Sequence, residues 1–201
     1  MVTSRSPHWP FKVRTARLEL RPYTPKDYAQ WVAGYLSSRR KLNRFDLAPK
    51  STDELTKSAY RKILKRQRDV NKTDRGYTLG IFHRRTGIFM GWVDFWIFDR
   101  GDSQSANFGY VLLNAFRRQG FGAEAALGAA IVGFRHLKLQ RLEAAILPDN
   151  LPSRKLIESI GFKFECRRRR CDWERGRWRD KLIYSAHPEI FGLKSRPPVV
   201  R

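Results

Sequence analysis

Residues 106–124, ANFGYVLLNAFRRQGFGAE, decide how this chain of 201 residues folds. They predict a strand that ends near Leu113, a short loop, and a helix that begins directly after the loop. The loop carries two arginines and two glycines in the spacing Arg117-x-x-Gly120-x-Gly122. Glycines let a backbone approach a ligand closely, and a helix start offers unpaired N–H groups with partial positive charge. The stretch therefore predicts a phosphate-binding turn.

The composition predicts one folded domain. Hydrophobic residues make up 41% of the chain and aromatic residues 13%, which is typical of a protein with its own core. We expect a single domain over residues 1–201, with a loose arm at 1–12 and a frayed tail at 189–201. The longest apolar run, 125–134, is too short to span a bilayer, and no signal-type segment is found. We therefore expect a cytoplasmic protein without a membrane partner.

The two cysteines, Cys166 and Cys171, indicate neither a disulfide framework nor a zinc site, because no His or Cys cluster near them has ligand spacing. We expect both to be packing residues and expect no metal. Between them, Arg167 to Arg170 are expected to alternate across a strand, two on each face.

The charge is strongly positive. Lys and Arg number 41 against 19 Asp and Glu, which gives a net charge of +22. A phosphorylated cofactor accounts for a few of these positions only. The sequence leaves two interpretations open: a solvated basic surface, or a surface for an anionic macromolecular partner such as ribosomal RNA or an acidic protein.

Hydrophobic periodicity and turn residues predict the element order β-α-α-β-β-β-α-β-α-β-β. An antiparallel meander, one β-α-β crossover and a terminal hairpin make this an α+β fold, with a mixed, mostly antiparallel twisted sheet and flanking helices. The predicted strands are 15–22, 77–82, 89–98, 105–113, 141–147, 162 onward and 178–186. The predicted helices are 25–37, 51–72, 121–134 and 150–160.

A dinucleotide-binding site is the first interpretation of the glycine loop. Gly120, Gly122 and Ala125 fit G-x-G-x-x-G/A, and Glu143 follows about 20 residues later. However, six residues separate Leu113 from Gly120, whereas this fingerprint follows its strand directly. The roughly 60 residues after Leu142 are too few for the remaining parallel units, and no G-K-[ST] triphosphate motif is present.

A second reading explains more of the chain. The loop fits (Q/R)-x-x-G-x-(G/A), and further segments follow in a recognisable order: TARLELRP at 15–22, FGYVL at 108–112, RLEA at 141–144, DNxxS at 149–153, ExxGF at 158–162 and ERGRWRD at 174–180. Over most of its length the chain resembles the GCN5-related N-acetyltransferase (GNAT) superfamily. Within it, the chain resembles the ribosomal-protein N-terminal acetyltransferases of the RimJ/RimL kind.

The resemblance implies acetyl-CoA as the donor substrate. Backbone N–H groups and the helix start would hold its pyrophosphate, and Asn150 would bond the pantetheine arm, although Asn150 also fits a helix N-cap. The N–H of Leu112, at the strand end, would face the thioester oxygen. The implied cofactor contacts are Leu112, Arg117, Arg118, Gln119, Gly120, Phe121, Gly122, Ala123, Asn150 and Ser153; Arg118 is alternatively simple surface charge.

The catalytic residues are less sharply implied. Many relatives place a tyrosine seven residues after the asparagine, where this chain has Ile157. Ser153 matches a serine proposed to act on the departing thiolate, or is a polar residue of a first helical turn. Candidates for the general base are Asp172, Glu143 and Asp94, and a water relay without a dedicated base is an alternative. Glu143 could instead be a structural carboxylate that forms a salt bridge on its strand. Candidate acceptor contacts are Trp92, Asp94, Trp96 and Asp180.

The resemblance and the charge together predict an acetyltransferase that acts on a primary amine, with a protein N-terminal α-amine as the favoured acceptor. A +22 surface disfavours polycationic acceptors. Two alternatives stay open. One is a catalytically weak binding module that docks on RNA or a ribosome through its basic face, and the other is an acetyltransferase of small-molecule amines.

Overall fold

The computed structural model describes residues 11–38, 41, 43–174 and 176–197. These residues form one sheet of eight strands in the order β1-β2-β3-β4-β5-β6-β8-β7. The strands are β1 Val13–Arg14, β2 Leu18–Arg21, β3 Gly76–His83, β4 Phe89–Asp99, β5 Ser105–Leu112, β6 Arg141–Ile146, β7 Lys163–Glu174 and β8 Arg177–Ala186. The helices are α1 Tyr28–Leu36, α2 Lys57–Lys72, α3 Phe121–Arg135 and α4 Leu151–Ser159.

Neighbouring strands pair antiparallel except β5 and β6, which are parallel and joined through α3. The predicted α+β class, with a mixed sheet and a β-α-β crossover, is therefore confirmed. The sequence prediction missed β1, which pairs with β2 through Val13↔Leu20. None of the helices in the described ranges is long and apolar enough to cross a membrane.

Local capping explains where the first two helices begin. Thr24 and Asp27 form a capping box around a 3-10 turn that leads into α1. The predicted helix at 51–72 is interrupted: Ser51 and Glu54 cap a separate 3-10 turn, and Leu55 is buried. Thr56 then accepts a hydrogen bond from the Ala59 N–H at 3.1 Å, so that α2 begins anew at Lys57.

Each face of the sheet has its own core. Helices α3 and α4 cover one face, where four fully buried alanines of α3 let it lie close to the strands: Ala125, Ala126, Ala129 and Ala130. Helices α1 and α2 cover the other face with an aromatic cluster that includes Trp31, Tyr35, Tyr60 and Phe89. Alternation along β4 sends Val93 to the first core and Trp92 to the second.

The sheet opens between β5 and β6. Their register pairs run from Ser105↔Arg141 to Asn107↔Glu143 and stop there. Strand β5 continues to Leu112 beside β4, while β6 continues to Ile146 beside β8. The two strands that flank the glycine loop and α3 therefore separate toward their carboxyl ends.

The predicted termini need correction. Residues 1–10 and 198–201 lie outside the described residues. Phe11 is buried and stacks on His136 at 5.0 Å, so the predicted loose arm at 1–12 extends too far. The tail predicted from 189 also begins too early, because Pro188–Phe191 form a 3-10 turn whose Phe191 packs on Phe134.

The terminal hairpin differs from the prediction in two respects. Strand β7 is the edge strand, and all its residues except the last are exposed, so Cys166 and Cys171 are free, exposed thiols rather than packing residues. The register between β7 and β8 breaks between Arg168 and Asp172, and Arg170 takes a left-handed conformation with φ 45°. This bulge ends the alternation expected for Arg167 to Arg170.

Candidate active site

The glycine loop forms the N-terminus of α3 as the sequence predicts. Gly120 is the N-cap with φ 80°, a left-handed conformation that favours glycine, and no side chain caps the helix there. The first helical bond runs from the Glu124 N–H to the Gly120 carbonyl, so the N–H groups of Phe121, Gly122 and Ala123 have no partner within the helix. The loop presents a row of donors beside the opening between β5 and β6.

The Glu124 carboxylate fixes this helix start. It accepts hydrogen bonds from the Thr15 hydroxyl at 2.6 Å and from the Arg17 N–H at 2.7 Å, and it forms an ion pair with the Arg17 guanidinium at 2.7 Å. Arg17 also donates to the Gln119 carbonyl at 2.9 Å. These bonds tie the loop to the segment before β2, so the donor row is held in place by the fold.

The two loop arginines differ. The Arg117 guanidinium donates to the Leu112 carbonyl at 3.0 Å and pairs with the buried carboxylate of Asp46. Arg118 is exposed, has φ 63°, and takes part in no ion pair among the described residues. Arg117 therefore holds the loop against the end of β5, and Arg118 is the arginine of the pair that is open to a ligand.

A thioester cofactor with a pyrophosphate fits this arrangement. Unpaired N–H groups and Arg118 supply donors for phosphate oxygens, and the opening between β5 and β6 leads from them toward Leu112. Close packing shapes the wall of this opening, because a Cβ on Gly122 would lie 2.8 Å from Leu156 of α4. The predicted acetyl-CoA contacts stay a prediction, and the bonds of Arg117 to the Leu112 carbonyl and to Asp46 indicate that this arginine acts on the loop rather than on a phosphate.

Asn150 and Ser153 meet at the start of α4, where a third residue joins them. The Asn150 side-chain oxygen accepts the Ser153 N–H at 3.3 Å, so Asn150 is the N-cap, and its amide N–H groups donate to no described residue. The hydroxyl oxygens of Ser153 and Tyr110 lie 2.9 Å apart. Burial raises the pKa of Tyr110 to about 12, which keeps this phenol protonated near neutral pH.

The sequence analysis missed Tyr110, although its position in a period-two strand places it on the face that α4 covers. Ile157, which stands where many relatives have a tyrosine, is fully buried in that core. A phenol is thus present beside Ser153, but it comes from β5 rather than from α4.

Glu143 and Asp172 lie in ion pairs. The Glu143 carboxylate meets the guanidinium groups of Arg141 at 3.0 Å and Arg168 at 3.3 Å. The Asp172 carboxylate is about half exposed on β7 and meets Lys181 at 3.0 Å. No hydrogen bond joins either carboxylate to Ser153 within the described part of the chain.

Asp180 lies apart from the other predicted acceptor contacts. Its carboxylate accepts the Arg170 N–H at 2.9 Å and pairs with Arg167 at 2.8 Å. These bonds, the one from Arg170 first, hold the pKa of Asp180 below its usual value. Asp180 therefore fastens the bulge of β7.

Trp92, Asp94 and Trp96 do come together. They line a cavity of about 220 Å³ between β4 and helices α1 and α2. The sequence analysis missed the other aromatic walls, which come from Tyr23, Trp31, Tyr35, Tyr77, Phe89 and Phe95. The Arg66 guanidinium lies 5.7 Å from the centre of the Trp96 ring, at the more exposed end of the three-residue row.

Asp94 is the carboxylate of this cavity. It accepts a hydrogen bond from the Thr78 hydroxyl at 2.6 Å. Burial raises the pKa of Asp94 above its usual value, and hydrogen bonds from Thr78 and Trp92 offset part of that shift. A carboxylate in this setting is a better proton acceptor than an exposed one.

The cavity lies one strand away from the cofactor opening. Asp94 pairs across the sheet with Gly109, and no atom lies within 4 Å of the place where a Gly109 Cβ would stand. Gly109 belongs to the part of β5 that has already left β6. An acceptor beside Asp94 can therefore approach a group held in the opening without a side chain in between.

Comparison with known proteins identifies the family of this chain. Residues 17–163 match the family model described as the acetyltransferase (GNAT) domain. The chain is 31% identical over 134 residues to "Probable N-acetyltransferase YjcK" of Bacillus subtilis, covering 67% of this chain and 74% of that protein.

Two solved structures share the fold. One is Mycobacterium smegmatis RimJ in complex with CoA-disulfide, with TM-score 0.76, 23% identity, and coverage of 94% of this chain and 93% of that one. The other is the ribosomal-protein-S5-alanine acetyltransferase of Vibrio fischeri, with TM-score 0.72, 16% identity, and coverage of 93% and 100%.

Proposed function

The chain belongs to the GNAT family of N-acetyltransferases, and on that premise we propose that it moves the acetyl group of acetyl-CoA to a primary amine bound beside Asp94. One observation carries the proposal. A half-buried carboxylate lies in an aromatic cavity, one strand away from an opening whose far end is a row of N–H groups that have no partner within their helix. In this proposal the amine binds in the cavity and the thioester binds in the opening. The two sites adjoin at Gly109 and Leu112.

Acetyl-CoA supplies an acetyl thioester, an acyl donor with a thiolate leaving group. The N–H groups of residues 121–123 and the exposed Arg118 hold phosphate oxygens, and the free amide N–H groups of Asn150 bond the pantetheine arm. The N–H of Leu112 stabilises negative charge that develops on an acyl oxygen. These donors are set by β5, α3 and α4 before any ligand binds.

Proton transfer falls to two sites on opposite faces of the sheet. Asp94 accepts one proton from the ammonium group of the acceptor, helped by its raised pKa, and so frees the lone pair that attacks the acyl carbon. The second proton that the nitrogen loses as the amide forms passes to the departing thiolate. Ser153 donates a hydrogen bond toward the leaving sulfur, and the protonated Tyr110 orients the Ser153 hydroxyl. Glu143 and Asp172 keep structural roles in this scheme because arginine and lysine already neutralise them.

The favoured acceptor is a protein N-terminus of the ribosomal-protein kind. The similarity in fold to a protein named as a ribosomal-protein-S5-alanine acetyltransferase supports this choice, and the net charge of +22 opposes polycationic small amines. We place the reaction in the cytoplasm, where two exposed free thiols stay reduced.

The test is acetylation of a library of free peptides, with the same peptides blocked at the N-terminus as controls and polyamines as competitors. Mass spectrometry locates the acetyl group, and thiol release measures the rate. We expect acetylation at α-amines and loss of activity in Asp94→Asn. Rapid acetylation of polyamines with no reaction at any peptide N-terminus would overturn the acceptor assignment, and no thiol release with any amine would overturn the enzyme assignment.

A further inference from the structure

The hairpin of β7 and β8 extends beyond the body of the protein. Burial along β8 begins only at Ile183, and the first half of the strand is exposed or half-buried. Strand β7 is exposed on both faces and has no neighbour on its outer edge in the described sheet. The described residues between Arg167 and Lys181 therefore contribute little to either core.

Two tryptophans pair across this hairpin near its turn. Trp173 and Trp178 are direct register partners, with ring centres 5.4 Å apart in an edge-to-face arrangement. Their exposed fractions are 60% and 58%. Large aromatic side chains bury 150–250 Å² when covered, so two exposed indoles on one hairpin mark a surface that a partner covers.

The hairpin also carries unneutralised charge. Residues 163–186 contain nine Lys or Arg and four Asp or Glu. Some arginines are paired, as Arg167 is with Asp180. In the described ranges, Arg169, Arg170 and Arg177 are exposed and take part in no ion pair. The bulge places Arg169 and Arg170 at the sheet edge, a few residues from the indoles.

We propose that this hairpin binds single-stranded RNA, with bases stacked on Trp173 and Trp178 and phosphates neutralised by Arg169 and Arg170. Flat π surfaces next to free guanidinium groups are the combination that single strands use, because every unpaired base has an open face. Duplex RNA hides its base faces. A second copy of this chain would bring two strongly positive hairpins together, which opposes self-association.

The proposal stands apart from the acetyltransferase assignment, since none of its residues touches the cavity or the cofactor opening. The experiment measures fluorescence anisotropy of the full chain with labelled single-stranded 12-mer RNA from 50 to 200 mM salt. The competing probes are an RNA duplex of equal length and a peptide of 12 glutamates. The variants are Trp178→Leu, which keeps an apolar side chain without an indole, and the double variant Arg169→Gln/Arg170→Gln.

The control is the double variant Arg61→Gln/Lys62→Gln, which removes the same charge from the exposed side of α2. We expect Trp178→Leu to weaken single-strand binding about tenfold. The hairpin arginine variant should flatten the slope of log K against log salt by about 1.4, and the control should leave the slope within about 0.5. A thermal melt of each variant checks folding.

Three results would overturn the proposal. The first is tighter binding of the glutamate peptide than of the RNA, which indicates an acidic protein partner. The second is equal binding of single strand and duplex together with no effect of Trp178→Leu, which leaves only charge attraction. The third is an equal loss of binding in the hairpin variant Arg169→Gln/Arg170→Gln and in the α2 control variant. Quenching of tryptophan fluorescence by RNA in the unaltered chain tests stacking if Trp178→Leu fails to fold.

Discussion

Two regions of this protein use the same chemistry in opposite settings. In the cavity, Trp92 and Trp96 flank the carboxylate of Asp94 on one strand face, and α1 and α2 close the space above them. On the hairpin, Trp173 and Trp178 also lie on strands among charged residues, but no described element covers them. Helices enclose the first set of tryptophans and charges, where we propose that the acceptor amine binds, and leave the second set open, where we propose that RNA binds.

The carboxylates of the cavity and of the hairpin also differ in their surroundings. The hairpin carboxylates Asp172 and Asp180 each meet a cation, and Asp172 is about half exposed to solvent. Asp94 accepts hydrogen bonds from a hydroxyl and an indole and forms no ion pair with a described residue, and burial raises its pKa. All residues that line the cavity fall within the family match at 17–163, whereas the hairpin begins where that match ends. The cavity thus lies within the part of the chain that the family model matches, together with the glycine loop.

The largest expected difference between the cavity and the hairpin is in their contribution to stability. Trp31 is 3% exposed and contacts the rings of Tyr35 and Tyr60 at 5.2 Å. Trp31→Ala should lower the free energy of unfolding by about 3–5 kcal/mol, because a large cavity replaces the indole. Trp178→Ala should lower it by about 1 kcal/mol or less, the scale of one cross-strand pair. Urea unfolding followed by circular dichroism measures both, and similar losses would show that the hairpin belongs to the cooperative core.

The next effect is on catalysis and separates Asp94 from the hairpin carboxylates. Asp94→Asn should reduce kcat/KM for the amine by about 100-fold, the scale of a lost proton acceptor. The pKa of Asp94 is raised, so the folded protein binds this proton more tightly than the unfolded chain does, and stability falls as pH rises above the ordinary Asp value. Asp94→Asn should therefore unfold at higher urea than the unaltered protein at pH 7, with a smaller difference at pH 4.

Measuring both activity and urea stability shows whether Asp94→Asn loses activity because its structure is damaged. A variant that is inactive and also less stable at pH 7 would mean that Asp94 supports the structure of the cavity rather than proton transfer. Rates for the unaltered protein should rise with pH through the raised pKa of Asp94, because only the carboxylate accepts a proton.

A smaller effect is expected at the start of α4. Tyr110→Phe removes the hydroxyl 2.9 Å from the Ser153 oxygen and should lower kcat about tenfold with little change in KM. Tyr184→Phe is a matched control, because its buried hydroxyl also bonds to α4, through Glu158 at 2.9 Å and Arg154 at 3.1 Å. Its kcat should change less than about twofold.

An acyl donor with a more acidic thiol tests the assigned step. The loss in Tyr110→Phe should shrink with this donor, because a better leaving group needs less help from Ser153. An equal loss with both donors, or the same loss in Tyr184→Phe, would make Tyr110 a structural contact only.

Much of the fold follows from sequence periodicity and turn residues, and the exceptions have physical causes. Val13–Arg14 is too short a strand to show a period, and it exists because β2 offers an edge. The bulge at Arg170 depends on cross-strand register, which a single strand pattern does not contain. The exposure of Cys166 and Cys171 follows from the edge position of β7, and sheet order is a tertiary property.

Parts of the candidate site could also be predicted from the sequence, and other parts could not. The cofactor loop was predictable because its donors are backbone groups of contiguous residues. The cavity was predicted only along β4, since its other walls come from α1, α2 and β3. The partners of Arg117 and Ser153 were missed for the same reason: Asp46 is 71 residues from Arg117, and Tyr110 is 43 residues from Ser153. Such distant pairs leave no local pattern.

The smallest effect is expected from replacing a carboxylate of the hairpin. Asp172 matches the position of a possible base, yet its exposed carboxylate already pairs with Lys181. Exposed pairs contribute about 0–1 kcal/mol, so Asp172→Asn should change unfolding by less than that and kcat/KM by less than about twofold. Steady-state rates measured beside Asp94→Asn check this. A loss near 100-fold in Asp172→Asn, with Asp94→Asn active, would move proton transfer to the hairpin, because it would mean that the hairpin closes over the acceptor during turnover.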